Sequence, residues 1–228
     1  MVFSVMVELI KHETNMVKKD ITTFIKEIKL IANKYKLDIT QLYDDSYRLI
    51  SKYIIFFKYL YLEDTNRKYY KNLISDLYYI ILSILKGETR YFYLNMRSII
   101  ENCIRCISGI SLEDNYITSY VFGSVKSKFN LDDYSFIKNE YTTSCNYIHG
   151  GNLLENSLAS TLKACLPKKL SKKTRNEYYN STKKILALFT RAIIEENIAY
   201  VDKCFYKKKY LLEYLVGKDN VDLIFNKR

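Results

Sequence analysis

"ITTFIKEIKLI", Ile21 to Ile31, decides the fold class of this 228-residue chain. Ile21, Phe24, Ile25, Ile28 and Ile31 recur at intervals of three and four, a spacing that lines one face of an α-helix and no face of a strand. The pattern predicts a helix over about 3–35, broken at "KLDIT". A second helix is expected over about Asp38–Leu62, with Leu42, Leu49, Tyr53, Phe56, Phe57 and Leu60 inward, and "EDTNR" supplies a turn rich in capping residues. The third, about Arg67–Lys86, is apolar on much of its circumference, which predicts a central position, and it ends at Gly87. The fourth covers about Glu88–Ser108 and ends at Gly109. Ser111 as N-cap and Asp114 in the first turn open a fifth, reaching about Phe129. "NLDD" opens a sixth, Asp132 to about Ile148, and His149-Gly150-Gly151 closes it.

A short helix over Asn156–Ala164 and the lysine-dense connector "LPKKLSKK" follow. A long helix is expected over about Thr174–Phe205, then a break at "YKKK" and short terminal helices. The single proline, Pro167, and six glycines leave too few breakers for a many-turned β fold. The expected fold is an all-α helical bundle with a long C-terminal helix and short terminal helices. Residues 1–164 would form its core, and 165–228 a basic helical segment packed on the same domain.

Composition narrows the function classes. Apolar residues are 48% of the chain, enough to exclude a disordered protein. The apolar runs "YIIFFKYLYL" and "LISDLYYIILSIL" are shorter than the ~20 residues a bilayer needs and carry Lys58 and Asp76, so no membrane partner is expected. "MVFSVMVELIKHE" has no signal-peptide pattern, and the cysteines, Cys103, Cys106, Cys145, Cys165 and Cys204, are odd in number. A reduced, cytoplasmic chain is the expectation. Cys103 and Cys106 form a Cys-x-x-Cys inside an apolar helix, with no second pair to complete a zinc site, so neither metal nor cofactor is expected.

The charge is uneven. Residues 1–162 carry 20 basic and 18 acidic side chains, and residues 163–228 carry 16 and 7. A basic segment on a near-neutral body points to an acidic partner, nucleic acid first. Lys168, Lys169, Lys172 and Lys173, clustered at the connector, are the candidate nucleic-acid contacts. A lysine-rich solvated surface from an A+T-rich genome is the competing account.

Chemistry concentrates around one of the two histidines. Tyr141, Cys145 and His149 lie four apart on one helix stripe, as do Arg97, Glu101 and Arg105 on another. Charges on a largely buried helix need partners or a cleft, and Glu101 is placed to fix two arginines. An imidazole can move a proton at neutral pH, and a guanidinium can hold a phosphate. RNA supplies its own nucleophile in the 2′-hydroxyl. His149 with Arg97 or Arg105 would therefore suffice for metal-free cleavage. The competing account has His149 ending its helix and Arg97–Glu101–Arg105 as an internal ionic clamp.

"YLNMRSIIENCIR", followed some forty residues later by "YTTSCNYIHGG", resembles the HEPN-like all-α superfamily, over roughly 65–155. Within it, the chain is similar to the branch with an "MRSxxE…R" helix and a later helix ending in His-Gly. The resemblance implies a helical bundle, a homodimer, and an RNA-directed protein of a defence or stress system. Many such proteins are metal-independent ribonucleases, and others are non-enzymatic RNA-binding, scaffold or partner-binding modules. The family's active pattern is an arginine, four to six intervening residues, then the histidine. Thr142, Thr143 and Ser144 stand there instead, so the cation would come from Arg97 or Arg105. His12, in "ELIKHETN", reads as a solvated helix face, and no phosphate loop, HExxH or G-x-S-x-G occurs.

Overall fold

The structure, a computed structural model, describes residues 2–34, 43–109, 119–149, 157, 159–160 and 170–225, the side chains of 2–11, 119–121 and 225 excepted. The protein is an all-α helical bundle. Its helices are α1 (Val2–Lys34), α2 (Asp44–Glu63), α3 (Lys68–Lys86), α4 (Thr89–Ser108), α5 (Ser119–Ser124), α6 (Leu131–Ile148), α7 (Lys172–Glu196), α8 (Ile198–Cys204), α9 (Lys209–Val216) and α10 (Lys218–Phe225). No strand occurs among the described residues, and no helix there is long and apolar enough to cross a membrane. Of the expected short helix over Asn156–Ala164 only residues 157 and 159–160 are described, 159–160 as helix, and Gly150, Gly151, Cys165 and the start of the expected fifth helix lie outside the described residues.

The chain forms two compact units, residues 1–67 with 190–228, and residues 68–189. The 164/165 boundary read from the charge pattern falls outside the described residues.

In the first unit α1 buries Ile21, Ile25, Ile28 and Ala32, a line one residue off the predicted stripe at its end. It packs on α2 and α9, and α2 also meets α8 and α9. Phe56 of α2 is fully buried and stacks on Phe205 at 5.8 Å. Each such side chain contributes on the order of 1.5–3 kcal/mol when fully buried. The long helix expected to reach Phe205 stops at Asn197. There the Asn197 side chain donates to the Ile193 carbonyl at 3.0 Å and accepts from Arg67 at 3.4 Å. Asparagine is a weak helix-interior residue because its amide competes for backbone groups, and here it stands at the junction of α7 and α8. The break at "YKKK" is present, with Lys207 at φ 60°.

In the second unit α4, not α3, is central: it packs on both α3 and α6. α3 buries Leu73, Leu77, Ile80 and Ile84 but leaves Tyr78 and Tyr79 exposed. Phe92 of α4 is buried and stacks on Tyr178 of α7 at 4.0 Å.

Candidate functional site

The site is built on α4. Gly87, at φ 72°, lets the chain reverse after α3, and the Glu88 amide donates back to the Ser83 carbonyl at 2.9 Å. α4 then buries Phe92, Met96, Ile99, Ile100, Cys103 and Ile104. Arg97 and Glu101 fall one turn apart on its partly exposed side. Leu94 is exposed.

α6 buries only Ile137 and Ser144. Apolar burial therefore does little to hold it, and specific contacts fix its position. Asn130 caps it, accepting from the Asp133 amide at 2.8 Å. The Tyr141 hydroxyl donates to Glu101 Oε1 at 2.9 Å. Tyr147 stacks on Tyr93 with ring centroids 4.0 Å apart. Arg90 Nη2 donates to the Ile148 carbonyl at 3.0 Å, a cation at the negative end of the helix.

His149 is the C-cap of α6, its amide bonded to the Cys145 carbonyl at 3.0 Å. Its side chain is exposed. Its Nε2 lies 3.4 Å from Arg97 Nη1. A guanidinium has only donors, so in this contact Nε2 carries the lone pair and the ring proton sits on Nδ1. Arg97 Nε donates to Glu101 Oε1 at 2.8 Å. Glu101 thus takes both Arg97 and Tyr141 and fixes the guanidinium beside the imidazole. The Glu101 hydrogen bond, opposed by partial burial, pushes the Arg97 pKa further up. Burial first, then the Glu101 charge, pushes the Tyr141 phenol up as well, so it stays a neutral donor.

His149, Arg97 and Glu101 are therefore brought together, Arg97 and Glu101 by their i,i+4 spacing and His149 by the packing of α6 on α4. Arg105 is not with them. It is buried, with Nη1 3.5 Å from Asn102 Oδ1, and its Nε has no hydrogen-bond partner among the described residues. Eight residues carry a helix stripe about 80° around its axis, which takes Arg105 away from the face Arg97 uses. The three-membered ionic clamp is accordingly a pair.

Asp76 of α3 is a neighbour that sequence reasoning passes over. Its Oδ2 accepts from Ser98 Oγ at 2.7 Å and from Asn102 Nδ2 at 3.3 Å. Burial pushes its carboxyl up to about 6, the two hydrogen bonds oppose this, and the Glu101 charge adds to it. The available signal is a lone carboxylate inside the apolar run "LISDLYYIILSIL".

Lys172 and Lys173 are exposed in the first turn of α7, and Lys168 and Lys169 lie outside the described residues. At least four of the sixteen C-terminal cations are paired among the described residues. Lys184 pairs with Asp133 at 3.6 Å, Arg191 with Glu195 at 3.1 Å, Lys203 with Glu63 at 2.7 Å and Lys208 with Glu13 at 2.8 Å. His12 is exposed. Cys103, Cys106 and Cys204 are buried thiols, and burial pushes Cys204 up to about 11. Among the described residues no three His, Cys, Asp or Glu side chains are grouped as metal ligands. Comparison with family models, with curated proteins and with solved structures finds no match for this chain.

Proposed function

We propose that this chain is an RNA-directed, HEPN-like protein of a defence or stress system, a metal-independent ribonuclease in which His149 moves the proton and Arg97 holds the phosphate. The observation that carries this reading is the exposed His149 imidazole, 3.4 Å from a guanidinium that Glu101 orients. Base, cation and orienting carboxylate follow the arrangement by which a third group aligns a catalytic pair. When bound RNA draws the Arg97 guanidinium onto its phosphate, the Nε2 lone pair is freed and His149 takes the proton of a 2′-hydroxyl. The 2′-oxygen then attacks the adjacent phosphorus, the P–O5′ bond breaks, and the 5′-oxygen takes a proton from water while the His149 imidazolium returns its proton to solvent. A 2′,3′-cyclic phosphate and a 5′-hydroxyl result. Arg97 stabilises the charge that builds on the non-bridging oxygens. Lys172 and Lys173, with Lys168 and Lys169, would contact the flanking backbone. Exposed Tyr78, Tyr79, Tyr91 and Leu94 suit the pairing of two copies as a homodimer.

A second reading rests on a different observation. Arg97 is already engaged by Glu101, and Arg90–Ile148 and Tyr93–Tyr147 tie α4 to the same end of α6. These contacts also suit a non-enzymatic scaffold or partner subunit. Incubation with single-stranded RNA and with DNA of the same sequence, in chelator, separates the two. The ribonuclease cuts the RNA and leaves the DNA whole, because only RNA carries the nucleophile. Two intact substrates leave the scaffold.

A further inference from the structure

The seam of α1, α2 and α9 in the first unit carries two lysine–tyrosine contacts that differ in one respect. At one end Lys208 Nζ lies 4.9 Å from the Tyr59 ring centroid, and both side chains meet Glu13, Tyr59 Oη at 2.8 Å and Lys208 Nζ at 2.8 Å. The carboxylate neutralises the cation and accepts from the phenol. Further along the seam, Lys52 Nζ lies 4.1 Å and Lys18 Nζ 5.2 Å from the Tyr214 ring centroid. Arg48 sits one helical turn before Lys52, and its charge acts on the Tyr214 phenol. Lys52 and Arg48 are half-buried and Lys18 is exposed.

No ion pair to Lys18, Arg48 or Lys52 is formed among the described residues. The nearest acids along their own helices do not serve. Asp44 is taken by Lys29, and Asp20, Asp45 and Glu213 form no ion pair with these cations. Burial, and after it the Lys18 charge, pushes the Lys52 ammonium down, so the cluster works against itself. The face of a tyrosine ring attracts each ammonium weakly, ~0.5–1 kcal/mol at exposed sites, and leaves the repulsion between them unanswered.

We infer that Lys18, Arg48, Lys52 and Tyr214 form a binding site for a phosphoryl group. A single carboxylate matches a single lysine, as Glu13 does for Lys208. Three gathered cations call for an anion of charge near −2. The Arg48 fork fits two phosphoryl oxygens, the lysines supply point charges, and the Tyr214 hydroxyl supplies a further donor. This site is independent of the reading given to His149.

The test uses the full chain and inorganic pyrophosphate, with ionic strength held constant by sodium chloride. Pyrophosphate at saturation raises the melting temperature by at least about 2–4 °C. Arg48→Gln and Lys52→Gln lose the shift, and Lys208→Gln, at the other end of the seam, keeps it. Lys18→Glu, which supplies the missing carboxylate, raises the melting temperature of the free protein and removes the response. Competition by a DNA oligonucleotide identifies the phosphoryl source as a nucleic-acid backbone; its absence identifies a small phosphorylated compound. A wild-type shift no larger than chloride gives, or one that persists in Arg48→Gln and Lys52→Gln, overturns the site.

Discussion

Replacing His149 by alanine lowers RNA cleavage by a factor of about 10²–10⁴, the ordinary cost of removing a general acid or base, and leaves the unfolding midpoint nearly unchanged. His149 is exposed, and among the described residues its side chain makes one polar contact, 3.4 Å to Arg97. Loss of such a surface contact moves stability by about 0.5 kcal/mol or less. Arg97→Ala also loses activity, but it breaks the 2.8 Å pair with Glu101 on the way. A partly exposed pair is worth up to ~1 kcal/mol, so only this second variant melts earlier. Rate assays beside thermal unfolding separate the two effects. Two variants that both melt early, from a wild-type protein that cuts no RNA, would fit the scaffold reading instead.

Replacing Asp76 by asparagine stabilises the protein at pH 8 and does almost nothing near pH 4. The carboxyl is pushed from its ordinary 3.8 to about 6 in the folded chain. Between these values the folded state binds more protons than the unfolded state, so stability falls as pH rises through that window. Above it, keeping the buried carboxylate ionised costs on the order of ~2–3 kcal/mol, because each pH unit that separates the folded from the unfolded value is worth about 1.36 kcal/mol. Asparagine retains an oxygen for Ser98 and Asn102 and carries no charge beside Glu101. Urea unfolding of both proteins at pH 4, 6 and 8 reads the difference directly. An Asp76→Asn variant that is less stable at pH 8, or a difference that does not change with pH, contradicts this assignment.

Helix identity is legible wherever apolar spacing is sustained. α3, α4 and α6 begin and end within one or two residues of the boundaries read from Gly87, Gly109 and "NLDD". What local spacing cannot carry is partnership across the chain. Asn197 looks like any polar residue on a long helix, yet the helix stops there, and its side-chain oxygen accepts from Arg67, 130 residues away. The joining of 190–228 with 1–67 is likewise a matter of which apolar faces meet. In the candidate site, i,i+4 spacing is enough to align Arg97 with Glu101, while Tyr141 and His149 reach that pair from another helix. It misleads at Arg105, because a stripe stepped by four drifts around the helix and eight residues are enough to turn it inward. Asp76 is invisible for a related reason: its significance lies in α4 residues that face it from another helix.

The end groups of the RNA products test the central claim most directly. If His149 and Arg97 drive attack by the 2′-hydroxyl, wild-type protein in chelator yields fragments ending in 2′,3′-cyclic phosphate and beginning with 5′-hydroxyl, and His149→Ala yields none. Fragments bearing 3′-hydroxyl and 5′-phosphate, which mark attack by water, or RNA left uncut by the wild-type chain, would contradict it.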